Sequence, residues 1–71
     1  MKLKQNIVIW YDENEKRYFL DCEQMFLKRK KNNPKISLIT RLNVTCEKVE
    51  ELSEVLNVKN LCILPEVYEQ E

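Results

Sequence analysis

Asp12 is the residue in this chain with the most direct chemical use. It stands immediately after the apolar run Asn6-Ile7-Val8-Ile9-Trp10-Tyr11 and two residues before Asn14. An aspartate at the end of a buried strand is where phosphotransfer enzymes and metal-dependent nucleases hold Mg²⁺ or attack phosphorus. Such a site needs further carboxylates from other strand ends, and after the last apolar run only Glu66 is available. A simpler role accounts for Asp12 completely. It can cap the first amides of a helix, with Glu15 three residues later completing a capping box. On that reading no residue is catalytic, none ligates a metal, and no cofactor is required.

Thiol chemistry has little support. Cys22, Cys46 and Cys62 are far apart and odd in number, and the chain has no histidine. This excludes a disulfide framework and finger-type zinc sites, and it leaves no imidazole to activate a nucleophile. All three cysteines sit among apolar residues, and the expectation is reduced, buried thiols. Glycine is also absent from the 71 residues. Dinucleotide fingerprints and P-loops need glycine so that the backbone can approach phosphates and turn sharply, so both are excluded.

Charge is the remaining resource. The net charge is zero, but residues 1–41 carry ten Lys/Arg against five Asp/Glu, and residues 42–71 carry two against seven. The positive half concentrates in Lys28, Arg29, Lys30 and Lys31, extended by Lys35. The negative half concentrates in Glu47, Glu50, Glu51 and Glu54. These eight residues at 28–31 and 47–54 are the candidate binding groups. The basic run could meet nucleic-acid phosphates. It lacks interleaved aromatics for base stacking, and a neutral chain is unusual for a dedicated nucleic-acid binder.

The elements that would position these groups follow from hydropathy. Residues 6–11 read as a strand buried on both faces. Apolar residues at Tyr18, Phe19, Cys22, Met25 and Phe26 have helical spacing, which predicts a helix over 13–31 stopped by Asn32, Asn33 and Pro34. The competing arrangement is a hairpin through residues 12–15 followed by a shorter helix from Cys22. Residues 36–42 read as a second strand, diluted by Ser37 and Thr40 in the manner of an edge. Thr45 caps a second helix with the stripe Cys46, Val49, Leu52, Val55 and Leu56, and Asn57 stops it. Residues 61–64 form a third strand closed by Pro65, and a charged tail follows.

The expected fold is therefore a single small α/β domain over residues 1–71. It has β-α-β-α-β order, a three-stranded parallel sheet in order 2-1-3, one helix on each face, and a frayed tail over 66–71. A ligand would then sit beyond the carboxyl ends of the strands, among Tyr11, Asp12, Glu13, Asn43, Thr45, Pro65 and Glu66. The apolar stretch 7–11 is too short for a signal peptide or a membrane span. A cytoplasmic location without membrane contact is expected, with the sequon Asn43-Val44-Thr45 unused.

Trp10-Tyr11-Asp12 at the end of the first strand, followed by the acidic Glu13-Asn14-Glu15 and the strand and helix order to Pro65, resembles the opening of PglZ-type proteins of bacterial phage-exclusion systems. The resemblance covers the small N-terminal α/β module of that family. The family's alkaline-phosphatase-like metal site lies far downstream, so no catalytic residue carries over. It implies an interaction role in a phage or defence locus. With the thin cover expected for the sheet, it makes a protein partner or a homo-oligomer the expected binding mode.

Overall fold

The computed structural model describes residues 2–43 and 60–69. The second helix expected from Thr45, with Cys46 and the glutamates Glu47, Glu50, Glu51 and Glu54, lies outside the described residues. The described elements are β1 (Asn6–Asp12), β2 (Arg17–Cys22), α1 (Glu23–Asn32), β3 (Ile36–Asn43), β4 (Cys62–Ile63) and a 3-10 turn at Pro65–Val67.

The strands form one mixed sheet in the order β3-β1-β2-β4. β1 is antiparallel to both β2 and β3, and β4 runs parallel to β2. This corrects the expected three-stranded parallel sheet with a helix on each face. The competing hairpin is what forms, with Tyr11 opposite Tyr18 and Asp12 opposite Arg17. The error has a physical source. Tyr18-Phe19 and Met25-Phe26 are apolar doublets, and a helix face and a strand buried on both sides both produce doublets. In β2, Phe19 faces one side and Leu20 the other, and both are buried.

The turn between β1 and β2 explains why residues 13–16 do not begin a helix. The Asp12 carboxylate accepts hydrogen bonds from the Asn14 amide at 2.7 Å and the Glu15 amide at 3.3 Å. The Lys16 amide donates back to the Asp12 carbonyl at 2.7 Å. Lys16 then takes a left-handed conformation with φ of 54°, a position glycine would fill without steric cost. The capping chemistry expected of Asp12 therefore occurs, but on a hairpin turn.

Each face of the sheet carries its own apolar cluster. On the α1 side, Val8, Trp10, Phe19, Phe26 and Ile36 are buried, with Leu38, Cys62 and Leu64 against them. Trp10 stacks on its cross-strand neighbour Phe19 at 4.2 Å between ring centroids. Phe26 is the buried residue of α1 and leans against Trp10. The opposite face gathers Leu3, Ile7, Ile9, Leu20 and Val67. Val67 and Tyr68, read from the sequence as part of a frayed tail, belong to this second layer. Val67 is fully buried, Leu3 bridges Tyr68, and the Glu69 amide donates to the Lys2 carbonyl at 2.8 Å.

The left-handed Lys16 supplies a direct test of the hairpin. Lys16→Gly should raise stability by about 0.5–1 kcal/mol, because relief of the left-handed strain exceeds the added unfolded-state entropy. A urea midpoint that falls would place residue 16 in a helix or another right-handed conformation.

Candidate functional site

The most highly organised polar group in the described structure is Asp21, in the middle of an otherwise apolar stretch. β2 places it opposite Val8, on the face covered by α1, and it has no solvent exposure. A buried carboxylate is tolerated only with partners on its oxygens. Oδ2 accepts from Trp10 Nε1 at 3.0 Å and from Arg29 Nε at 2.8 Å. Oδ1 accepts from the Cys22 backbone amide at 2.9 Å. Arg29 reaches onward through Nη2 to Glu66 Oε1 at 3.0 Å. The chain Trp10–Asp21–Arg29–Glu66 thus links two strands, the helix and the 3-10 turn. Glu66 Oε2 is buried and has no hydrogen-bond partner among the described residues.

Burial alone would lower the pKa of Arg29, but the hydrogen bonds and charges of Asp21 and Glu66 outweigh it and hold the guanidinium above its ordinary value. The sign of the linkage follows. A cation with a raised folded-state pKa stabilises fully below its unfolded pKa and loses that contribution only as pH rises through the folded value. For arginine that window lies in strong alkali, so this group contributes no slope to stability near neutral pH.

The strand-end site expected from the sequence does not assemble. Because β1 and β3 are antiparallel, Asp12 pairs with Ile36 at one end of the sheet, and Asn43 pairs with Asn6 at the other. Asp12 is itself buried, and its second oxygen faces Asn33 Nδ2 at 3.4 Å. Among the described residues no cluster of three or more Asp, Glu, Cys or His side chains is arranged to hold a metal ion.

The basic run is divided by the fold. Arg29 turns inward to Asp21 and Glu66. Lys30 reaches past the end of α1, and its ammonium donates to the carbonyls of Pro34 at 3.3 Å and Ile36 at 2.5 Å. Lys28, Lys31 and Lys35 remain exposed and form no ion pair among the described residues. Cys22 is buried, Cys62 is half-buried, and both are free thiols. Cys46 lies outside the described residues. Asp21 is the residue whose importance sequence reading missed, and Glu66, expected beside a strand-end ligand, is instead bound to Arg29. The available signal was an acidic residue inside the strand-forming run Tyr18-Phe19-Leu20-Asp21-Cys22, where a charge must find a partner.

No protein-family model, curated protein or solved structure matches this chain. No helix among the described residues is long and apolar enough to cross a membrane.

Two substitutions test these assignments. Trp10→Phe keeps an aromatic ring on Phe19 but removes one donor from the Asp21 carboxylate, and should cost about 1.5–3 kcal/mol by urea denaturation. Asp12→Ala should cost about 1 kcal/mol, whereas Asp12→Asn, which keeps an acceptor for the turn amides, should cost clearly less. Equal losses for the two Asp12 variants would count against the turn role.

Proposed function

We propose that this chain is a non-catalytic protein-interaction module. One observation carries the reading. Among the described residues, the carboxylates that chemistry would need are engaged in holding the fold, while large apolar side chains stand at the surface. Asp12 secures the hairpin turn, Asp21 and Glu66 hold Arg29, and Lys30 satisfies carbonyls beyond α1. Tyr18, Leu27, Ile39 and Ile63 are exposed, with Leu27 and Ile39 each at 53%. Ile39 lies on β3, which forms an edge of the sheet among the described strands. Edges and exposed apolar side chains favour association with another chain.

The same observation weighs against nucleic acid as the partner. Two of the five residues in the basic patch are committed internally, and the three that remain have no exposed aromatic residue beside them on α1. The resemblance of Trp10-Tyr11-Asp12 to PglZ-type proteins directs the search for a partner to phage-exclusion loci, and a second copy of the chain is the other candidate.

Amine-reactive crosslinking in extract of the native host, with mass-spectrometric mapping, tests the proposal. Crosslinks from Lys28, Lys31 or Lys35 to one protein or to a second copy, competed by excess unlabelled chain, are the expected result. A strict monomer without competed crosslinks, retained instead on nucleic acid in a salt-sensitive manner, would contradict it.

A further inference from the structure

A groove of about 360 Å³ runs between the residues that lead into β1 and the first turns of α1. Lys4, Gln5 and Asn6 form one bank, Glu23, Gln24 and Leu27 form the other, and Cys22 lies between them. We infer that this groove receives an acidic, leucine-bearing peptide segment of a partner protein, with an apolar side chain against Leu27 and Cys22 and a carboxylate against Lys4. The inference rests on the interaction-module reading and gives that module a docking site and a partner chemistry.

Three features carry it. The first is the apolar content of the groove. Leu27 is 53% exposed, about 100° around α1 from the buried Phe26, and it lines the groove together with Cys22. Covering such a surface with an aliphatic side chain releases water from both partners. The second is the charge balance of the banks. Among the described residues that line the groove, Glu23 is the acidic one, and Arg41 holds its carboxylate at 2.7 Å. The Lys4 ammonium meets only the Cys22 sulfur, at 4.0 Å, among the described residues. Lys31, one helical turn beyond Leu27, and Lys28 add exposed positive charge along the same side of α1. Among the described residues the uncompensated charge beside the groove is therefore positive, and it is complementary to a carboxylate. The third is the remaining lining. Gln5, Asn6 and Gln24 offer amide groups that both donate and accept, as a peptide backbone requires. The volume lies at the small end of ligand pockets, which suits one or two side chains better than a whole cofactor.

The test uses the full chain and a fluorescein-labelled peptide of alternating glutamate and leucine, followed by anisotropy and by amide chemical shifts. Saturable binding with shifts at Gln5, Asn6 and Gln24 is expected, and a lysine–leucine peptide of the same length should not bind. Lys4→Glu and Leu27→Ser should each weaken binding about tenfold. If Lys4→Glu perturbs the fold, Lys4→Gln should weaken binding in the same direction by a smaller factor. No binding, or binding indifferent to both positions, overturns the inference. Free N-acetylglutamate that binds as tightly as the peptide also overturns it, since it would mark a small-molecule site. Crosslinks from Lys28, Lys31 or Lys35 that persist when the peptide fails would remove the groove and leave the interaction module standing. Loss of both would remove the module as well.

Discussion

The fold depends on a single buried carboxylate. Asp21 lies fully inside, in the middle of a sheet layer otherwise built from Val8, Trp10 and Phe19. Removing a carboxylate from water costs several kcal/mol unless its charge and lone pairs are answered. Here the answers come from three separate elements. β1 contributes the Trp10 indole, β2 its own Cys22 amide, and α1 the Arg29 guanidinium. Each donor fixes the position of the element that carries it. The Trp10 bond sets the ring that stacks on Phe19 and meets Phe26. The Arg29 bond sets the depth and rotation of α1, which contributes Phe26 as its buried residue. The second arm of Arg29 draws the 3-10 turn to the same point through Glu66. A charge so placed adds little net stability compared with a well-packed apolar replacement. What it provides is geometric selectivity, since any shift of α1 strands a buried ion.

The surface follows from the same arrangement. A short sequence places four consecutive cations at the end of α1, and read in isolation they form one patch. In the folded chain Arg29 belongs to the interior and Lys30 to the backbone carbonyls beyond the helix. Cations at a helix C-terminus also complement the helix dipole. What is left at the described surface is sparser and more mixed, with Lys28, Lys31 and Leu27 on α1 and Lys35 beyond its end. On the proposed interaction reading, a few such charges would orient the contact and apolar area would supply the affinity.

Parts of this structure were legible in the sequence because they depend on local pattern. The unbroken run from Ile7 to Tyr11 marked an interior strand, and β1 does lie between two others. Ser37 and Thr40 marked residues 36–42 as an edge strand, and β3 stands at an edge among the described strands. Asn32, Asn33 and Pro34 marked where α1 ends. The hairpin was not legible because the doublets Tyr18-Phe19 and Met25-Phe26 keep helical spacing with each other although the first lies in β2 and the second in α1. Asp12 also offered a capping carboxylate to either structure. The Asp21 network was not legible because its partners lie eleven residues before it, eight after it and, through Arg29, at Glu66. No local window contains them together. The expected strand-end site failed with the parallel topology on which it depended.

The claim that Asp21 and Arg29 act as one unit is tested most directly by a double-mutant cycle, with Asp21→Leu, Arg29→Met and the double variant compared by urea denaturation in a stabilising osmolyte. The account predicts that Arg29→Met alone, which leaves a buried carboxylate short of its cation, is strongly destabilising. It also predicts that the double variant is less destabilised than the two single losses combined, by about 2–3 kcal/mol. Single losses that add to within about 0.5 kcal/mol would show that the two side chains do not depend on each other, and would contradict the account.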